Sequence, residues 1–198
     1  MRYDEIPQLH ACGACRAKAP TAGKLLAWHA NHSADVLHRA AAPKRVLVWN
    51  DMFDPYHNGN QTAAGPKSHY QHRTIAGGIT GAWTGLSRSW TVANWQHSNL
   101  GVNTTSGECV RKASCQTLSL RWFESLGFSQ FICGYYGSGD GNQSAATEIE
   151  NARGVQGLLG MIYGPWAHTV PGDPRLGGGD YTQLERYAAA SKAQWPTL

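Results

Sequence analysis

Pro43-Lys44-Arg45-Val46-Leu47-Val48-Trp49-Asn50-Asp51 is the stretch whose reading decides the fold. Pro43 ends a run that starts at Thr21, behind Pro20, and in which Leu26, Ala30, Ser33, Val36, Leu37 and Ala40 recur near helical period. Arg45 to Trp49 follows at once as the kind of apolar run expected of a strand covered on both faces. A helix leading directly into such a strand is the repeating unit of a parallel sheet with crossover helices. The alternation continues downstream and selects the α/β class.

Ile79 to Trp83 and Trp90 to Trp95 read as two short strands, with extended loop as the alternative for the first, which is Gly-rich. A helix from Leu118 to Leu126 is stopped by Gly127, and Gln130 to Cys133 supplies the next strand. A Gly-rich turn from Gly134 to Gly141 leads to a helix over Gln143 to Arg153, closed by Gly154. A strand from Val155 to Tyr163 and a loop from Pro165 to Gly179 come next. Asp180 then caps a last helix through Leu184, Tyr187, Ala188 and Ser191. With Tyr3 to Ile6 as the tail of a further strand, about five strands are expected, where a closed (β/α)8 TIM barrel needs eight in about 250 residues. The expectation is a single domain over residues 1–198 forming the carboxy-terminal part of such a barrel, incomplete because its first half is missing.

Composition narrows the function classes. With 41% apolar and 15% charged residues in 198, disorder is excluded and one cored domain is the expected size. The net charge is +4, but the basic residues are scattered apart from Arg39, Lys44 and Arg45, so no nucleic-acid partner is expected. No apolar run approaches the roughly 20 residues of a bilayer span, so no membrane partner is expected either. Met1-Arg2-Tyr3-Asp4-Glu5-Ile6 enters acidic sequence without a signal-peptide pattern, which makes the cytoplasm the default compartment. No cofactor motif stands out.

In a parallel α/β sheet the residues that do chemistry sit just past the carboxyl ends of strands, because helices cover the rest. That rule nominates Asp4 and Glu5, then Asn50, Asp51 and Asp54, then Trp95, then Tyr135, Tyr136 and Asp140, and lastly Trp166. Carboxylates mixed with aromatic residues suit a carbohydrate substrate, whose ring faces stack on Trp and Tyr while its hydroxyls bond to Asp, Asn and Glu. Glycosidic cleavage needs a proton-donating carboxyl beside the leaving oxygen and a second group for the oxocarbenium-like centre, two roles that adjacent Asp4 and Glu5 can divide. A solvated turn is the plain alternative for that pair.

Tyr3-Asp4-Glu5-Ile6, the block from Val46 to Pro55, Gly134-Tyr135-Tyr136 and the strand end from Met161 to Trp166 together resemble, in order, the second half of family 20 glycoside hydrolases, the β-N-acetylhexosaminidases, and bacterial relatives of that family. The resemblance implies hydrolysis of an N-acetylhexosamine-type or related sugar, with Glu5 as general acid and Asp4 orienting the substrate's acetamido group. It also implies substrate contacts from Trp49, Asn50 and Asp51, from Tyr135 or Tyr136, and from Trp166 as the floor of the sugar pocket. Tyr3 stands where that family usually carries Gly. A non-catalytic carbohydrate-binding or orphan barrel fragment is the alternative from another class.

Other constellations carry rival chemistry. Asp51, Asp54 and His57, with His69 and His72 in the same aperiodic loop, offer ligands for a metal-dependent hydrolase. Cys12-x-x-Cys15, with His10 nearby and Cys109 and Cys115 far downstream, leaves open a zinc site, a disulfide across the loops or plain free thiols. Cys133 reads as a small buried hydrophobe. Gly137-x-Gly139-x-Gly141 is better read as a turn than as a phosphate cradle, since Asp140 would repel an anion. Trp28, Trp122 and Trp195 fall on expected helices, where packing is the expected role.

Overall fold

Two side chains start the first two helices by accepting backbone amide protons. Cys12 Sγ takes that of Cys15 at the head of α1 (Gly13–Lys18), and Thr21 Oγ1 takes that of Lys24, at 3.2 Å, at the head of α2 (Ala22–Ala41). The computed structural model describes residues 3, 6, 8–57, 59, 79–95, 114–136, 145–165 and 182–195. Beyond α2 it contains β1 (Leu47–Trp49), a 3-10 turn (Asp51–Phe53), a second 3-10 turn (Ala82–Gly85), β2 (Thr91–Asn94), α3 (Cys115–Ser125), β3 (Ser129–Tyr136), α4 (Ala145–Asn151), β4 (Leu158–Pro165) and α5 (Thr182–Gln194).

The four strands form one sheet in the order β1-β2-β3-β4, and every neighbouring pair is parallel. Their order in space therefore follows their order in sequence, with no reversal. Period-two alternation gives the two faces different companions. On one face, Val48 and Val92 pack with Leu26, Ala30 and Ala34 of α2 and with Phe123 of α3. Ile132 on that face joins Leu120 of α3, with Trp195 just past α5. On the other face Trp49, Ala93, Phe131, Cys133 and Ile162 gather with Trp95 into a separate apolar cluster, built wholly from the strands and the residue that follows β2.

Ile79 to Trp83, expected as a strand or extended loop, is no strand but a turn that leads into the second 3-10 segment. The reason is a close approach to α2. A Cβ on Gly23 would overlap the carbonyl oxygens of Ile79 and Thr80, and one on Gly85 would overlap the backbone of Ala27. Gly23 and Ala27 lie one helical turn apart on the same side of α2, so the turn rests directly on a side-chain-poor ridge. Gly81 reverses the chain there at φ 84°, outside strand geometry. Tyr3 and Ile6 also lie outside any strand, which leaves four strands among the described residues.

The remaining expectations differ at their margins. α3 begins at Cys115 rather than Leu118, because Ser114 Oγ accepts the Thr117 amide proton at 3.1 Å. α1 was not expected, since it buries no residue and so has no apolar period to read. Trp122 packs edge to face on Trp83 and Phe123, and Trp195 on the Leu120 cluster, as expected of helix tryptophans. Trp28 does not: it is exposed, stacked on His32 with Lys18 Nζ over its ring.

Gly85→Ala should cost about 1–3 kcal/mol, because the added methyl meets helix backbone that cannot step aside. Gly81→Asn, which enters open space and keeps a residue tolerant of positive φ, should cost well under that. Urea unfolding of both variants checks the order, and equal losses would mean that turn dihedrals rather than the contact with α2 govern this segment.

Candidate functional site

The Asn50 amide continues the ladder one step past β1 by donating to Ala93 O at 3.2 Å, and the chain then turns through Asp51–Phe53 to Asp54. Asp54 is fully enclosed. Its Oδ2 accepts from Asn50 Nδ2 at 2.7 Å and from the Ser119 hydroxyl at 2.5 Å, while its Oδ1 accepts from the Tyr56 amide at 2.8 Å. The chain of bonds runs on from there. Asn94 Nδ2 donates to Ser119 Oγ at 2.7 Å and to Gln130 Oε1 at 3.2 Å, and Gln130 Nε2 donates to Leu120 O at 2.8 Å. Asn50 Oδ1 in turn accepts the Trp95 amide proton at 2.9 Å.

One buried network thus joins the ends of β1 and β2, the middle of α3 and the start of β3. Asn94 and Gln130 alternate with Ala93 and Phe131, so they lie on the helix-packed face and carry the network between sheet and α3. Burial pushes the Asp54 carboxyl up to about 6, against the opposing pull of hydrogen bonds from Ser119, Tyr56 and Asn50. All three donors favour the charged carboxylate, yet the loss of water outweighs them.

Above this base the aromatic part of the edge is assembled. Trp95, placed by its amide bond to Asn50, meets the His57 ring at 4.4 Å between centroids, inclined at 66°. His57 is held by its amide on Asp54 O at 3.0 Å. Trp49 packs into the same strand-face cluster as Trp95. Behind the edge, Phe53 receives the Tyr3 ring at 5.2 Å, and the Tyr3 hydroxyl bonds to His29 Nδ1 at 2.9 Å and Ser33 Oγ at 3.1 Å. Tyr3 is accordingly buried against α2, where a glycine would leave a hole.

Of the residues nominated from sequence, the structure brings together Asn50, Asp54 and Trp95, with Trp49 and buried Asp51 beside them. Asp54 faces the network rather than open space, so it acts on the edge by holding Asn50. Tyr135 and Tyr136 end β3 opposite Gly164 and Pro165 of β4. Asp4, Glu5, Asp140 and Trp166 lie outside the described residues. Sequence reasoning missed Asn94, Ser119 and Gln130; a signal was available for Asn94 and Gln130, since an amide inside an apolar strand run has to be bonded if the strand is covered on both faces, but none for Ser119 on its helix.

The rival constellations fare differently. Among the described residues no group of three or more His, Cys, Asp or Glu side chains could hold a metal ion. His69, His72 and Cys109 lie outside those residues. Cys115 is in a disulfide, so it is not a thiolate ligand, whereas Cys12 and Cys15 are free thiols. No protein-family model, no curated protein and no solved structure matches the chain.

Because folding raises its proton affinity, Asp54 contributes a stability that is full below about pH 4 and is lost as the pH rises through about 6. Urea unfolding between pH 4 and 7 should show this slope in the parent chain and lose it in Asp54→Asn. Ser119→Ala should cost about 1–3 kcal/mol by leaving Asn94 short of an acceptor and Asp54 short of a donor. The same variant should move the titration upward, since the Ser119 bond is the strongest of those opposing the shift.

Proposed function

We infer that the chain is a segment of a glycoside-hydrolase-like barrel, acting on N-acetylhexosamine-type or related sugars with Glu5 as general acid and Asp4 as the orienting carboxylate. The observation that carries this reading is the edge itself: Trp95 and His57, set on a buried Asn50–Asp54–Ser119 network, at the carboxyl end of a parallel sheet. Sequential strand order and helices packed on one face support a sheet that winds in one direction, as a barrel segment does. In an open doubly wound sheet the order would reverse.

The role division follows from the chemistry of the bond. Cleavage leaves an alkoxide-like oxygen that needs a proton and a sugar carbon that needs electron density, so one carboxyl donates while its neighbour steers the acetamido oxygen towards the anomeric carbon. Trp95, buried against His57 and the strand-face cluster, shapes the edge from beneath.

The test is a panel of nitrophenyl and unactivated glycosides assayed with the full-length protein. Glu5→Gln should lower turnover of substrates with poor leaving groups by about 10²- to 10⁴-fold while leaving affinity little changed. Aryl glycosides, whose leaving group departs as a stable anion, should suffer less, and Asp4→Asn should slow both kinds. Near-parent hydrolysis of unactivated substrates by Glu5→Gln would place the acid elsewhere, and sugar binding without turnover would reduce the edge to a recognition surface.

A further inference from the structure

The cysteine pair of α1 serves no part of the sugar reading, and its geometry is specific. Cys12 and Cys15 place their sulfurs 3.0 Å apart, sharing a hydrogen bond, and Cys12 Sγ also accepts the Cys15 amide proton at 3.3 Å. That separation is within about 1 Å of an S–S bond of about 2 Å. Cys12 is exposed and Cys15 half-buried, so an incoming sulfur has access to the first and the second stands behind it. The segment is held from outside the pair. His10 Nε2 is bonded to Ala19 O at 2.7 Å, and Lys18 Nζ lies 4.1 Å above the Trp28 ring on α2. α1 buries no residue of its own, so chemistry at its head leaves the core packing untouched.

We propose that Cys12 and Cys15 form a thiol–disulfide exchange site, oxidised reversibly to an intramolecular disulfide by small-molecule disulfides of the glutathione class. Cys12 is the attacking sulfur and Cys15 the resolving one. The Cys12 thiolate attacks one sulfur of R–S–S–R, whose S–S bond breaks. The first RS⁻ leaves with the electron pair and takes up the proton that Cys12 gave to solvent. Cys15 then gives up its proton and attacks Cys12 Sγ in the mixed disulfide, expelling the second RS⁻, which is protonated in turn. The protein loses two electrons and two protons, and R–S–S–R becomes two RSH.

The division of labour agrees with the titration of the two thiols. Cys12 is lowered, first by the Cys15 side-chain bond and then by the Cys15 amide, whereas Cys15 is raised, first by its bond to Cys12. The remaining free thiol among the described residues is unsuited to either task. Burial in the strand-face cluster pushes Cys133 up, and the charge of Glu148 adds to the effect.

The experiment equilibrates the protein in glutathione buffers of graded ratio, quenches with acid and maps each cysteine by peptide mass. The expected result is a peptide spanning Cys12 and Cys15 that has lost two hydrogens, without glutathione attached and without chain dimers, and that returns to the dithiol in reducing buffer. Cys15→Ser should trap glutathione on Cys12, and Cys12→Ser should react with glutathione at least several-fold more slowly. Limited alkylation near neutral pH should label Cys12 before Cys15, and Cys133 only after unfolding. Since the parent chain itself reports the outcome, a misfolded variant does not rescue the idea. Three results would overturn it: a glutathione adduct that persists on Cys12 of the parent chain, thiols that stay reduced in the most oxidising buffer, or a metal ion that occupies the pair and blocks alkylation.

Discussion

The carboxylate of Asp54, shut away from water, is the constraint on which the rest of the carboxyl edge depends. An ionised group with no solvent must be surrounded by donors, and the chain supplies them from three places: Asn50 next to β1, the Tyr56 amide in the following loop and Ser119 on α3. Each donor imposes a demand on its neighbour. Ser119, having given its proton to Asp54, must accept from Asn94, whose other amide hydrogen goes to Gln130 Oε1, which leaves Gln130 Nε2 to bond the Leu120 carbonyl. The orientation of every amide in the series is therefore set by one charge. Networks of this kind order a site strongly when every member is satisfied, because any single omission leaves a buried polar atom unpaired.

The same constraint explains the division of labour between the two sheet faces. The helix-packed face carries the network together with Val48, Val92 and Ile132, so the polar groups are locked between sheet and helices. On the opposite face Trp49, Ala93, Phe131 and Cys133 gather into an apolar cluster that meets the polar edge at Trp95, with Arg45 over the Phe131 ring. Trp95 is the junction: its amide belongs to the network through Asn50, while its ring belongs to the apolar face and to His57.

Much of this was legible in the sequence, and the residues show why. The helix over Thr21 to Pro43 and the strand after it carry a long period and a clear apolar run, so local pattern and tertiary demand agree. The strand-end rule found Asn50, Asp54 and Trp95 because chain topology alone brings them to one edge. It could not reveal that Asp54 turns inward, since that depends on Ser119, 65 positions away along the chain. Of the two readings open for Ile79 to Trp83, the structure has the non-strand one, because its apolar residues answer to the α2 surface instead of to sheet partners. The Cys12–Cys15 pair was visible as a spacing, but its chemistry depended on the distance between the sulfurs and on the engagement of Cys115 elsewhere.

The contact of Gly23 and Gly85 with the backbone opposite them has a use in recognising kin. Residues that bind a substrate change when the substrate changes, and exposed loops drift freely. A seam in which backbone lies on backbone has no such latitude, because no side chain is present to be exchanged for another of similar volume. Glycine at position 23, alanine at 27 and glycine at 85 thus form a spaced fingerprint of this architecture that is independent of whatever the carboxyl edge binds. Distant relatives should be sought by that triplet first, and by their tryptophans and carboxylates only afterwards.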